Sequence, residues 1–135
     1  MGIESGNMWF NTNGGYKFYV SGVTASTFAA SGAYTQVSDE RPKINIEPLA
    51  DALEKINSLN PVTYQWKDKA RGTQTEVGLI AQNVQKVYPE LVKENGNFMS
   101  LNYSGLASPI IKAIKELYAM LVRLTSDILA LKNGS

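Results

Sequence analysis

The chain has 135 residues, enough for one domain with a short appendage, and its 13 Lys and Arg against 12 Asp and Glu give a net charge of +1. This near balance gives no electrostatic argument for nucleic acid or an anionic membrane surface as a partner. Cysteine and histidine are both absent, which excludes disulfides, thiolate catalysis, Ser-His-Asp triads and histidine-ligated metals. A base acting near neutral pH must therefore be a lysine, a carboxylate or the amino terminus.

The first 37 residues differ in composition from the rest of the chain. They hold 6 of the 11 glycines and 7 of the 13 aromatic residues, but only two charged residues, Glu4 and Lys17. Aromatic and β-branched residues in Met8–Phe10 and Tyr16–Val20 flank an Asn-Gly-Gly turn, which predicts a β-hairpin. Its aromatic side chains favour packing between chains, with glycan binding as the alternative. A segment this short and glycine-rich cannot bury a core of its own.

Helical and strand patterns alternate irregularly after residue 38. The predicted elements are, in chain order, a helix from Pro48 to Leu59, strands at 62–66 and 76–80, a short helix at 81–88, and an Asn95-Gly96 turn between the apolar segments 91–93 and 98–101. Because these elements do not follow a βαβ order, the predicted fold class is α+β.

The last segment, 104–132, is predicted to be one long helix. Its apolar residues follow a heptad, with Ala107, Ile114, Leu121 and Ile128 at a positions and Ile110, Leu117, Leu124 and Leu131 at d positions. This pattern predicts a coiled coil, and packing against the chain's own core is the alternative. Because Ile111, Ala113 and Met120 broaden the stripe, we expect the start of the helix to pack on the domain and its end to pair with other chains. Periodicity alone leaves the oligomer number open.

A charged stretch, Ser38-Asp39-Glu40-Arg41-Pro42-Lys43, lies where the composition changes. One interpretation is a solvated connector. The other is a serine–lysine dyad, because a lysine that burial keeps neutral can accept the proton of a hydroxyl. Without histidine, this is the main remaining route to an activated serine. Many proteins place a serine near a lysine, so the pair alone leaves both interpretations open.

Acidic residues occur as neighbours at Asp39 and Glu40, and again at Glu47 and Asp51. No further acidic cluster accompanies them, so we expect solvated side chains rather than a metal or glycosidase site. The sequence gives no indication of a metal or a cofactor.

Four blocks in order carry a resemblance to a known family. They lie within Ser38–Trp66, Val77–Val84, Tyr88–Val92 and Leu101–Leu117. Together they resemble the C-terminal intramolecular chaperone domains of phage tailspikes and tail fibres, of the endosialidase tailspike type. The resemblance implies a domain that trimerises, assists the folding of the fibre ahead of it and then releases itself by autoproteolysis.

The same resemblance implies specific site residues. Cleavage in the family falls before the serine of the Ser-Asp pair, which here is the Val37–Ser38 bond. The family's nucleophile maps to Ser38 and its base to Lys43. Asp39 and Arg41 match the other recurring positions, where they would position the scissile turn or stabilise charge. Some members carry a histidine later in the domain, and this chain has none.

These inferences predict two parts: residues 1–37 as the β end of a tail fibre or tailspike, and residues 38–135 as the chaperone. The expected assembly is a homotrimer with intertwined N-terminal strands and bundled C-terminal helices, without nucleic acid or membrane partners. Assembly would occur in the host bacterial cytoplasm, and the upstream part would end in the virion tail. The alternatives are a non-cleaving trimerisation module retained at a fibre tip for receptor binding, and a cytoplasmic coiled-coil adaptor that forms dimers.

Overall fold

A computed structural model describes residues 2–4, 7–9 and 14–134 of the chain. The chain divides into two compact units, Met1–Ile46 and Glu47–Ser135. The described elements of the first unit are all strands, whereas the second combines short strands with helices, of which the C-terminal one is long. The predicted mixture of α and β structure and the long C-terminal helix are confirmed.

The N-terminal unit contains two antiparallel sheets. The first is a pair of short strands, and the second is a three-stranded meander whose central strand pairs with both neighbours. Phe28, on the central strand, lies with its ring centroid 6.2 Å from that of Phe18 and 4.7 Å from that of Tyr34, so aromatic contacts join all three strands of the meander. The strands are β1 (Gly2–Glu4), β2 (Asn7–Trp9), β3 (Tyr16–Val20), β4 (Val23–Phe28) and β5 (Tyr34–Gln36).

The strand pairing of this unit differs from the predicted hairpin. The sequence predicts that Met8–Phe10 pairs with Tyr16–Val20, but β2 pairs with β1 and β3 pairs with β4. The connection from β3 to β4 is the two residues Ser21 and Gly22, with φ of 51° and 80°. Positive φ at both positions is typical of the type I′ turn, whose twist suits a two-residue hairpin. The Asn residues of the predicted turn lie outside the described residues.

The C-terminal unit begins with a shorter helix than predicted. The helix begins at Ala52 instead of Pro48, because Asp51 has a left-handed conformation with φ of 54° that the helix cannot continue through. The elements are α1 (Ala52–Ser58), β6 (Val62–Tyr64), β7 (Glu76–Gly78), α2 (Ala81–Gln85), β8 (Val92–Asn95), β9 (Phe98–Leu101) and α3 (Ala107–Asn133). Strand β6 pairs antiparallel with β7, and β8 with β9 across the predicted Asn95-Gly96 turn.

A small core holds this unit together. Val84 of α2, Tyr88 and Leu106 are buried, and the surrounding apolar side chains are Ile56, Leu59, Leu79, Val87, Leu91, Val92 and Leu101. The Tyr103 hydroxyl accepts a hydrogen bond of 2.9 Å from the Leu79 backbone N–H, which attaches the segment before α3 to the residue after β7. The core therefore joins α1, both short sheets and the start of α3.

The first turns of α3 pack against α1. Pro109 and Ala113 are buried, and the Glu116 Oε2 atom accepts a 2.7 Å hydrogen bond from the Leu53 N–H at the start of α1. The expected packing of the start of the helix on the domain is therefore confirmed for Ala113, whereas Ile111 and Met120 are exposed. Both rows of the predicted heptad are also exposed in the single chain from Leu117 onward. Among the described helices, none is long and apolar enough to cross a membrane.

Candidate active site

The residues after β5 form a short turn that brings Lys43 back to Ser38. The Lys43 backbone N–H donates to the Glu40 carbonyl oxygen at 2.9 Å, which closes the turn. The Lys43 Nζ atom then donates to the Ser38 Oγ atom at 2.9 Å and to the Ser38 carbonyl oxygen at 3.0 Å. The two residues that the sequence pairs as nucleophile and base are therefore in hydrogen-bond contact.

A second pair, Asp39 and Arg41, lies within the same turn. The Asp39 Oδ1 atom accepts from the Arg41 backbone N–H and from its Nε, both at 2.9 Å, while Oδ2 accepts from Nη2 at 2.7 Å. The Arg41 guanidinium lowers the pKa of Asp39, chiefly through this hydrogen bonding, and Asp39 in turn raises the pKa of Arg41. The Arg41 side chain is 89% exposed, so solvent screens the pair and its main effect is on geometry.

The predicted scissile bond follows the last hydrogen bond of the meander. The Val37 backbone N–H donates to the Ala25 carbonyl oxygen at 3.0 Å, and β5 itself ends at Gln36. Val37 is thus fixed to β4, while Ser38 belongs to the turn that follows. The Val37–Ser38 bond lies where the pairing of the sheet ends and the turn begins.

Exposure decides what this arrangement can do in a single chain. Ser38 and Lys43 are both exposed, as is every residue from 31 to 51. In this exposed turn Lys43 acts as a hydrogen-bond donor to Ser38. General base catalysis needs the neutral amine, which burial favours. The turn therefore provides the geometry of a dyad without the environment that would activate it.

The other acidic candidates from the sequence, Glu47 and Asp51, are exposed. The described residues contain no group of three or more acidic side chains that could hold a metal ion. Within the same described residues, no hydrogen bond joins the Asp39–Arg41 pair to the Ser38 or Lys43 side chain. After the hydrogen bonds from Arg41, the charge of Lys43 is a smaller cause that lowers the pKa of Asp39, so the pair and the dyad also interact electrostatically.

Three features of the structure go beyond the sequence predictions. The first is the hydrogen bond from Lys43 to the Ser38 carbonyl oxygen, and the second is the hydrogen bond from Val37 to Ala25. The third is the position of the Arg71 guanidinium, which lies 4.9 Å from the Trp66 ring centroid and 5.7 Å from that of Phe98. The sequence signal for this arginine–aromatic contact is the series of basic residues Lys67, Lys69 and Arg71 that follows Trp66. The sequence pattern alone predicts only a polar loop there.

Comparison with known families finds a match that begins at this turn. Residues 38–93 match a family model that is named as a peptidase and described as the chaperone of endosialidase. Over this segment the chain is similar to the chaperone-of-endosialidase family, and the match begins at Ser38, the residue after the predicted scissile bond.

Curated relatives are long tail fiber proteins of bacteriophages. The chain is 33% identical over 99 residues to long tail fiber protein Gp37 of Enterobacteria phage K3, and equally to that of Enterobacteria phage T2; each alignment covers 68% of this chain. It is 32% identical over 119 residues, 78% of this chain, to Gp37 of Enterobacteria phage Ox2. The chain spans only 8%, 7% and 45% of the lengths of these three relatives, respectively.

Proposed function

We propose that residues 38–135 form an intramolecular chaperone that trimerises, assists the folding of the phage tail fibre segment ahead of it, and then cuts the Val37–Ser38 bond. The observation that carries the proposal is the 2.9 Å contact between Lys43 Nζ and Ser38 Oγ, next to the bond to be cut. The family match that begins at Ser38 and the tail fiber relatives support it. Residues 1–37 are then the end of the client.

The chemistry proceeds through the hydroxyl on the product side of the bond. The Ser38 Oγ atom attacks the Val37 carbonyl carbon while its proton passes to the neutral Lys43 amine. The tetrahedral intermediate collapses with cleavage of the C–N bond, and Lys43 returns the proton to the leaving Ser38 amine. Water then hydrolyses the Val37 ester, leaving a Val37 carboxylate and a free Ser38 hydroxyl. Each chain cleaves once.

In this proposal, assembly of the trimer provides the buried environment that Lys43 lacks in the single chain. Lys43 lies in water in the single chain, and packing of three copies around the 38–43 turn would remove that water and favour the neutral amine. Asp39 and Arg41 are positioning residues: their three hydrogen bonds hold the turn in which Lys43 meets Ser38. Cleavage would then follow folding, because an unassembled chain keeps its lysine protonated.

The position of the bond suits release of the chaperone. The strands β3, β4 and β5 and the Val37–Ala25 hydrogen bond all lie on the N-terminal side of the cut. Cleavage leaves the meander complete on the fibre and removes only the exposed turn with the unit that follows it. No strand pairing of the meander has to break for the two products to separate.

The trimer itself is proposed from α3. Its heptad rows are exposed in one chain, and three such helices side by side would cover them as a coiled coil. The N-terminal strands would intertwine with those of the neighbouring copies. Aligned chains give a glycine-rich β segment the register and local concentration that it lacks alone. We place this assembly in the bacterial cytoplasm and the released fibre in the virion tail.

A second function is favoured by the exposure of Ser38 and Lys43. If assembly leaves both in water, the lysine stays protonated and the bond remains intact. The chain would then be a non-cleaving trimerisation module retained at a fibre tip, where it could bind a receptor.

The decisive experiment is mass spectrometry of freshly expressed chains together with light scattering. We expect the wild type to yield fragments 1–37 and 38–135, while Ser38→Ala and Lys43→Ala remain full length. Lys43→Arg keeps a cation in the turn but cannot act as a base, so it should also remain uncut. Lys86→Ala, which removes an exposed lysine elsewhere, should be cut like the wild type.

The outcomes separate the two functions. Cleavage of Ser38→Ala and Lys43→Ala at the wild-type rate would contradict the dyad. A wild-type trimer that stays full length would support the retained module. A wild-type dimer would contradict both and agree with the coiled-coil adaptor.

A further inference from the structure

The loop between β6 and β7 presents a basic surface, defined here as Trp66, Lys67, Lys69, Arg71 and Phe98. The Arg71 guanidinium lies over both aromatic rings, which hold its plane in place. Phe98 is 72% exposed and Trp66 is 37% exposed. In the described part of the chain none of the three cations forms an ion pair. Their hydrogen-bonding capacity is free for a partner.

Local hydrogen bonds make this surface rigid. The Asp68 carboxylate accepts a 3.0 Å bond from the Ala70 N–H, and the Arg71 N–H donates to the Asp68 carbonyl at 3.1 Å. The Trp66 indole N–H donates to Glu76 Oε1 at 3.1 Å. The nearest acids of the loop are thus occupied by N–H groups of the loop itself.

An acidic groove lies on the same folded unit, between α1 and α3. Its lining residues are Asp51, Leu53, Glu54, Asn57, Glu116 and Met120. Glu116 is already bound to the Leu53 N–H and to Lys112, whereas Asp51 and Glu54 form no ion pair among the described residues. The groove therefore combines two unpaired carboxylates with two apolar side chains, the half-buried Leu53 and the exposed Met120.

We infer that the basic surface of one copy docks in the acidic groove of the next copy. The inference rests on the proposed trimer and names a second contact within it. The charges are complementary: Lys67, Lys69 and Arg71 face a groove in which Asp51 and Glu54 lack partners. The apolar side chains match as well, since Trp66 and Phe98 would cover Leu53 and Met120. Aromatic and arginine side chains that become buried in a pocket often contribute most of the binding energy of an interface.

Symmetry favours a second copy as the occupant. A three-fold ring uses heterologous contacts, in which one surface of each copy meets a different surface of the next. The basic surface and the acidic groove are two such surfaces on one unit. In a closed ring of three, every basic surface would be covered by the acidic groove of a neighbour. A heterologous contact closes into a ring only when the rotation between copies allows it, so this contact is compatible with the proposed trimer but does not by itself fix the oligomer number.

Charge reversal tests the contact. All chains carry Ser38→Ala, so that their length is the same, and association is followed by sedimentation velocity at about 0.1 M salt. We expect Arg71→Glu and Glu54→Lys each to raise the midpoint concentration of trimer formation roughly tenfold or more, because like charges then face each other. The double variant carrying both changes should assemble as the wild type does. Lys86→Glu makes the same charge change as Arg71→Glu at a residue that belongs to neither surface, and it should leave the midpoint concentration unchanged.

Mixing the two single variants tests whether the contact forms between copies. Arg71→Glu chains and Glu54→Lys chains repel their own kind, but a mixed trimer contains two complementary contacts out of three. We expect the mixture to form trimers at concentrations where neither variant does alone.

Each outcome decides the proposal. A trimer whose midpoint is unchanged by Arg71→Glu overturns this contact and leaves the proposed function standing. A parent chain that never forms trimers contradicts the proposed function and this contact together. Binding of heparin through Arg71, with unchanged assembly, would assign the surface to a polyanion instead and overturn the inference.

Discussion

The start and the end of α3 lie in different surroundings, although the heptad rows are exposed at both ends. Near the start, Pro109 and Ala113 are buried, and Ala113 is only 4% exposed, but neither residue lies on the a or d row. The heptad residues Ile110 and Ile114 are 44% and 61% exposed. From Leu117 to the end of the helix, every described side chain is exposed. The start of the helix thus packs within the chain through positions beside the heptad, and the heptad itself has no partner in the single chain.

This difference shows what an apolar stripe predicts. A heptad predicts that a face will be covered, because burying a leucine side chain contributes about 1.5–3 kcal/mol. It does not say whether the cover comes from the same chain. The small core around Tyr88 leaves both heptad rows exposed along the whole of α3, because only Pro109 and Ala113, beside those rows, are buried in its first turns.

The largest effect is expected at the exposed end of α3. Replacing both Leu121 and Leu124 by Asp puts charges on the a and d rows, and we expect the trimer to be lost at micromolar concentration. The circular dichroism of the folded unit should be retained, because neither side chain contacts the core. Leu129→Asp, at a b position of the same helix, should keep the trimer. An unchanged oligomer mass in the double variant would contradict the coiled coil.

A large effect on the free energy of unfolding is also expected in the small core around Tyr88, near the start of α3. Tyr88 is 1% exposed, so Tyr88→Ala should lower the free energy of unfolding by about 3–5 kcal/mol in urea titrations. Its hydroxyl is buried and lacks a hydrogen-bond partner in the described structure. Tyr88→Phe removes that oxygen and should leave stability unchanged or raised. A loss in Tyr88→Phe as large as in Tyr88→Ala would show that the hydroxyl has a partner after all.

The smallest effect concerns the contact between α3 and α1. The hydrogen bond from the Leu53 N–H is the main cause that lowers the pKa of Glu116 in the folded chain. A carboxyl with a lowered folded pKa stabilises the fold above its unfolded value, near 4.3, and loses that contribution as pH falls through the folded pKa. We therefore expect Glu116→Gln to lower the melting temperature at pH 7, with the difference from the wild type shrinking at about pH 3. A difference that is independent of pH would assign the effect to packing.

The candidate site was more predictable than its surroundings. Ser38 and Lys43 are five residues apart, and a single turn closed by the Lys43 N–H and the Glu40 carbonyl brings them together. Such a local contact depends on few residues, so sequence resemblance was enough to name it. The bond from Val37 to Ala25 depends on the register between distant strands, which the sequence pattern did not reveal.

The fold was predicted best where the signals are local. The Asn95-Gly96 turn and the strands around it were correct, as was the extent of α3 to within a few residues. The first hairpin was wrong because β3 pairs with β4 through the two-residue turn of Ser21 and Gly22, whose positive φ values the sequence pattern did not reveal. The start of α1 was wrong because Asp51 adopts a left-handed conformation that its neighbours do not indicate.

The sequence by itself determined the chemistry that is open to this protein. The sequence contains no cysteine or histidine, and Lys43 lies five residues after Ser38. A serine–lysine pair is therefore the main remaining route to an activated nucleophile. Only the tertiary structure decided which side chains lack a partner within the chain. Burial depends on contacts between residues far apart in sequence, and these contacts leave the Ser38–Lys43 turn, the end of α3 and the basic surface exposed.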